Sequence, residues 1–168
     1  MAPRTTTTTA PAIPLPYQLF FLYIEPVATA IGAYYAHFSQ PAYTTMTSSL
    51  LPSALATPAL TPVSTTSSII LTQLANLYLV FALNEALVLR STSDVRVWKA
   101  FLFGLLVADL GHLFSVRQAG LEVYWEVWRW NAMYWGNLGF VYVGATMRTL
   151  FLAGVGLEGP RGGKVKGR

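Results

Sequence analysis

The sequence predicts an all-α, polytopic membrane protein, with four transmembrane helices in a bundle. Three observations carry this. Of 168 residues, 54% are hydrophobic and only 11% charged, against about 25% charged in an ordinary soluble domain. The mean hydropathy is +0.46. The apolar residues lie in runs that approach or exceed the roughly 20 residues needed to cross a bilayer, and most charges sit in short flanks between them.

Met1 to Pro16 is rich in Thr and Pro and reads as a disordered cytosolic N-terminus. The apolar run behind it exceeds the 7–15 residues of a signal-peptide core, so the segment is expected to stay attached. The membrane domain is expected over 17–157. Its first span, about 17–38, contains Glu25 followed by Pro26, and a proline inside a helix removes a donor and usually kinks it. Ala28, Gly32 and Ala36 form a row of small residues that lets a neighbouring helix come close.

Residues 39–68 are rich in Ser, Thr, Pro and Ala, carry no charge and read as a non-cytosolic loop. A structureless loop of this length is unusual, which leaves room for a short interfacial helix around Ser49 to Ala56. The second span, about 69–89, places Gln73, Asn76 and Asn84 on one side of a helix, with Glu85 beside them. Arg90, Asp94, Arg96 and Lys99 make a polar connection to the third span, about 98–116, which holds Asp109 and His112 in its interior. After it, a stretch with four tryptophans has the composition of a membrane-interface belt. The fourth span, about 136–157, contains Arg148. Residues 158–168 form a basic cytosolic tail.

With four spans, Arg4, Arg90, Arg96, Lys99, Arg161, Lys164, Lys166 and Arg168 fall on one side of the membrane. Only Arg117 and Arg129 fall on the other, offset by Glu122 and Glu126. The positive-inside rule places both termini in the cytosol. This arrangement accounts for the net charge of +4 without nucleic acid. Lys164 and Lys166, fifth and third from the end, match a dilysine signal for retrieval to the endoplasmic reticulum as well as they match a generic positive-inside tail. The chain has no cysteine, which excludes disulfides, thiol catalysis and Cys-ligated metal. His37 is the only other histidine and belongs near the far interface, so no metal and no cofactor is expected.

Charges are costly at membrane depth, from about 2.5 kcal/mol upward, and survive where they face protein or a cavity. Counted from the cytosolic edge at 1.5 Å per residue, Glu25, Asp109 and Arg148 all lie about 12–15 Å deep, near the middle of a core about 30 Å thick. Glu85 is placed shallower, and His112 a turn deeper than Asp109 on the same face. Three carboxyl groups and one imidazole thus confront one guanidinium. Arg148 can neutralise about one carboxylate. A second one in a dry site would keep its proton, because desolvation and like charge both oppose ionisation. That pairing suits acid–base chemistry on an apolar molecule, such as double-bond isomerisation or cyclisation. Glu25, Asp109, His112 and Arg148 are therefore the candidate catalytic residues. Gln73, Asn76, Asn84, Glu85, Trp135 and Asn137 are the candidate ligand-binding residues. The competing reading makes the charges a structural ion pair that fixes helix registry, and His112 and the amides interhelical hydrogen-bonding groups.

The segments IPLPYQLFFLYIEPVATAIGAYYAHF, ADLGHLFSV and WNAMYWGNLGFVYVGATMRTLFLAGVG resemble a family of small four-span fungal membrane proteins with no assigned activity. The Glu-Pro of span one, the Asp-x-x-His of span three and the Trp-Gly-Asn before span four carry the resemblance. It implies a fold and a fungal source, not a reaction. A weaker similarity, in size and in acids converging on a sterol-sized cavity, is to the emopamil-binding-protein and sigma-2-receptor group. It implies a lipophilic ligand. The functions expected are binding or conversion of a terpenoid, sterol or polyketide in fungal secondary metabolism, a scaffold for other membrane biosynthetic enzymes, or a small proton-coupled exporter. The partners expected are the lipid bilayer and a lipophilic small molecule.

Overall fold

The computed structural model describes residues 13–51 and 62–157. The N-terminal segment before residue 13, the middle of the Ser/Thr/Pro loop and the basic tail with its dilysine pair lie outside the described residues. Every regular element described is helical. Three helices are long and apolar enough to cross a membrane. They are α1 (Leu15–Phe38), α3 (Thr65–Ser91) and the run Val95–Ala119, whose α-helical part is α4 (Val95–Ser115). Their outward faces leave large apolar residues bare, among them Ile24 and Val27 on α1, Leu83 and Leu87 on α3, and Phe103, Val107 and Phe114 on α4. An aqueous protein rarely exposes apolar surface on this scale; a bilayer is the solvent that accepts it.

Helix α1 is continuous but contains a π-helical turn, Phe20–Ile24, immediately before Glu25 and Pro26. Pro26 has no N–H for the carbonyl four residues back, that of Leu22. Arg90 satisfies that carbonyl instead, donating from Nη2 at 2.7 Å, while its guanidinium lies 4.9 Å from the centre of the Tyr23 ring.

A helix also occupies the beginning of the stretch read as loop. Helix α2 (Gln40–Ser48) follows α1 directly after Ser39. Its Thr44, Thr47 and Ser48 hydroxyls donate to carbonyls within the helix, three or four residues back. Helix α3 begins at Thr65, ahead of the apolar run at Ile69, because the Ser64 hydroxyl accepts from the Ser67 N–H and caps it. Asp94 does the same for α4 through the Arg96 N–H. After α4 the chain makes short 3-10 turns. Asn131 then caps a helical run that passes through Ala132–Tyr134 and a second π-helical turn, Trp135–Gly139, into α5 (Phe140–Leu152).

The helices pack as two pairs, α1 with α3 and α4 with α5. In the first pair Ala33 and Ala36 meet Leu71 and Ala75, and Gly32 leaves room for the Tyr78 ring. The close approach of small residues replaces the hydrophobic drive that lipid cannot supply. An aromatic cluster joins the pairs at one end. Tyr17, Phe20 and Phe21 of α1 pack with Leu89 of α3, Trp98 and Leu102 of α4, and Phe151 of α5. Trp98 bonds its indole N–H to the Thr92 carbonyl at 2.9 Å, and Lys99 donates to the Leu152 carbonyl at the end of α5 at 3.0 Å.

At the other end α2 is tied to the start of the α5 run. Tyr134 donates to the Thr47 carbonyl at 2.6 Å, and Asn131 donates to the Met46 carbonyl and the Ser49 hydroxyl, each at 2.8 Å. Trp130 is buried there, with its N–H on the Val123 carbonyl at 2.8 Å. Trp125, Trp128 and Trp135 are exposed, so the tryptophan-rich stretch is part core and part surface.

Candidate functional site

Between the two joined ends the helix pairs stand apart, and the site lies in the gap between them. Arg148 projects from α5 and is 2% exposed. Its Nη1 donates to Asp109 Oδ2 of α4 at 2.5 Å, and its Nη2 donates to Glu25 Oε1 of α1. One guanidinium therefore bridges two carboxylates from different helices, which uses the planar fork of arginine in a way lysine cannot reproduce. Glu25 stands where the π-helical turn meets Pro26, so a local distortion of α1 and the charged centre share one position.

The guanidinium fits because Gly144, one turn before Arg148, has no side chain. A Cβ built there would lie 2.7 Å from Arg148 Nη1 and 3.5 Å from Glu25 Oε1. The Phe21 ring centre is 5.7 Å from Arg148 Cζ, so the aromatic cluster adjoins the ion pairs.

Glu85 of α3 brings a third carboxyl group to the same place. It is 2% exposed and lies within interaction range of Glu25, Arg148 and Asp109. Its Oε1 has no hydrogen-bond partner among the described residues, and neither have Glu25 Oε2 and Arg148 Nε. His112 lies one turn along α4 from Asp109, with the Asn137 backbone close to its ring. Its Nε2 is buried and also unpartnered.

These groups line one end of a cavity of about 470 Å³. The remaining wall is largely apolar. Ala28 and Gly32 come from α1, Phe81 from α3, Leu105 and Ala108 from α4, and Val141 from α5. Tyr43 of α2 and Tyr78 of α3 bring hydroxyl groups that face each other. Ile31, Tyr35 and Phe81 are exposed at its margin. A largely apolar chamber of this size with a few convergent polar groups has the form of a small-molecule site.

Of the residues singled out from sequence, Glu25, Asp109, Arg148, His112, Glu85 and Asn137 all line this cavity. Gln73, Asn76 and Asn84 do not. They are exposed on the face of α3 turned away from it. Trp135 is also outside the lining, and it packs edge-on against Trp130 at 5.1 Å. Among the residues of the site that went unread in the sequence are Gly144, Tyr78, Tyr43 and Met133. Gly144 could have been found, since its spacing to Arg148 puts it on the same helix face. Tyr43 was hidden in a stretch without hydrophobic periodicity. Among the described residues no group of His, Asp and Glu side chains is arranged to hold a metal ion.

Fold and site together define an α-helical membrane protein with a charged centre opening on an apolar cavity. The chain belongs to the family described as a domain of unknown function, DUF7704, which matches residues 10–158. No curated protein and no solved structure matches it.

Proposed function

We propose that this chain is a four-span bundle that holds a lipophilic metabolite in the cavity and carries out acid–base isomerisation or cyclisation on it. The single observation behind this reading is that the Glu25–Arg148–Asp109 centre borders an apolar chamber of about 470 Å³. A buried ion triad that served only helix registry would need no chamber beside it, and that weighs against the scaffold reading. The exporter reading lacks a free acid in the first span, since Arg148 occupies Glu25.

The chemistry needs no co-reactant. One carboxyl group gives a proton to one carbon of a double bond, and a carboxylate takes a proton from another, so atoms balance. Glu25 or Asp109 is the donor in this scheme. Arg148 stabilises the conjugate carboxylate, and His112, on the same wall, relays the proton. The substrate class is a terpenoid, sterol or polyketide.

The count of four spans draws support from how the described chain closes on itself. The Tyr17 hydroxyl donates to the Val155 carbonyl at 3.0 Å, which fits a path that leaves the membrane on the side where it began. The charge asymmetry then favours cytosolic termini. The dilysine tail and the family resemblance favour the endoplasmic reticulum of a fungus.

The test is purification of the full chain from its native membrane in lipid nanodiscs, followed by solvent extraction and mass spectrometry. A lipophilic small molecule retained by the native chain and lost from Ala108→Trp, which fills the chamber, is the expected result. Conversion of that molecule should stop in Glu25→Gln and in Asp109→Asn. Identical extracts from native and Ala108→Trp protein would remove the binding reading. Undiminished turnover in both acid variants would remove the catalytic one.

A further inference from the structure

We infer that the lipid-facing side of α3 is the contact surface for a second copy of this chain, with Gln73, Asn76 and Asn84 bonding across the interface. The surface lies away from the cavity and does not depend on what the cavity holds. Helix α3 buries Leu71, Ala75, Ala82, Glu85 and Leu89 against the rest of the chain. At about 100° per residue the three amides fall on the opposite side, and all three are exposed. This helix is long and apolar enough to cross a membrane, and its midpoint is Tyr78. Asn76 lies about 3 Å from that midpoint, and Gln73 and Asn84 about 8 Å and about 9 Å, inside a hydrocarbon half-thickness of about 15 Å.

Acyl chains offer an amide no hydrogen-bonding group, so a polar side chain at this depth favours a protein neighbour. The outward face of α4 is different. Phe103, Val107, Leu110 and Phe114 are hydrocarbon, and lipid satisfies them. On α3 the amides are set in a seam. Ile69, Gln73, Asn76, Val80, Leu83 and Leu87 follow one another at alternating steps of four and three residues, the spacing by which two helices interlock along a left-handed crossing. Ile69, Val80, Leu83 and Leu87 are all exposed, so the described chain leaves the seam open. A second copy is the occupant that complements it. An amide both donates and accepts, so the row is complementary to itself. Copies inserted with one topology pair about a two-fold axis along the membrane normal, which sets every residue at the depth of its counterpart. Each amide then meets an amide, and each apolar residue of the seam meets hydrocarbon.

The chain has no cysteine, so a single introduced thiol reports contacts without background. The experiment places Val80→Cys in the full chain in phosphatidylcholine liposomes, oxidises it with copper phenanthroline and reads the disulfide-linked dimer on gels. Val107→Cys, on the bare face of α4, is the control for random collision. Val80→Cys is expected to cross-link several-fold more at equal protein-to-lipid ratio. In a second measurement, energy transfer between labelled copies follows the dimer as lipid is added. The variant Asn76→Leu, Asn84→Leu should dissociate about tenfold more readily than the native chain, since a two-fold axis counts each substitution twice. Asn76→Gln, which keeps an amide, should retain the dimer. Both leucines would face lipid, where leucine is favoured, so the bundle itself should fold as before. Equal cross-linking at Val80→Cys and Val107→Cys would mean collision, and a monomer at every dilution would mean that lipid alone covers α3. Either result overturns the inference, as would a dimer of unchanged strength in the leucine variant. Should a cysteine variant not fold, the energy-transfer comparison decides alone.

Discussion

A Cβ on Gly144 would stand 2.7 Å from Nη1 of Arg148, and that guanidinium nitrogen is held by Asp109. Arginine is flexible when free, but here both ends of its fork are tied to carboxylates. Gly144→Ala should therefore destabilise the protein by about 1–3 kcal/mol, as overpacking does, although alanine is the better helix former. Gly104→Ala is the control. Nothing lies within 4 Å of its Cβ position, so it should hold or raise stability. Thermal unfolding in one detergent compares the two, and equal behaviour would mean that Gly144 does not shape the centre.

Removing one partner of the triad should cost more than removing the triad. Arg148→Met leaves the buried Glu25 and the half-buried Asp109 without their cation, a loss of about 3–5 kcal/mol by the usual cost of breaking a buried pair. The triple variant Glu25→Gln, Asp109→Asn, Arg148→Met should recover most of that in chemical unfolding. A triple variant no more stable than Arg148→Met alone would mean that packing, not unpaired charge, sets the cost.

Proline 26 and Arg90 are coupled through the Leu22 carbonyl. Arg90→Ala should cost about 1.5–3 kcal/mol, the range for a hydrogen bond to a charged group. In a Pro26→Ala background the new N–H can serve Leu22, so the same Arg90 change should cost much less. A double-mutant cycle measures this coupling, and additive losses would show that the two residues act independently.

Tyr134→Phe deletes the donor to the Thr47 carbonyl that ties α2 to the start of the α5 run. About 0.5–1.5 kcal/mol of stability should go with it. Hydrogen exchange should rise first in α2, ahead of α1 and α3. A uniform rise across all helices would mean that α2 is not an independently tethered element.

Three helices of membrane-crossing length were legible because length and apolarity suffice to recognise them. The meeting of Glu25, Asp109 and Arg148 was legible because depth follows from residue count at a fixed rise per residue. The amide row was read as a face correctly, yet periodicity does not say which way a face looks. Gln73, Asn76 and Asn84 turn outward, while Tyr78, Phe81 and Glu85, offset around the same helix, form the wall. Glu85 was placed too shallow because α3 runs on to Ser91, past the end of its apolar run. Helix α2 was missed because Thr, Ser and Pro weigh against a helix in isolation, and its bonds to Asn131 and Tyr134 come from far along the sequence.

The bareness of α4 has a consequence for any measurement on this protein. Within its apolar window only 6% of residues are buried by the rest of the chain, so Phe103, Val107, Leu110 and Phe114 find their neighbours among acyl tails. Lipid thickness and order then act on this helix as a core mutation would act on a soluble protein. Unfolding free energies taken in different surfactants belong to different composite bodies, and only those from a single host can be subtracted from one another.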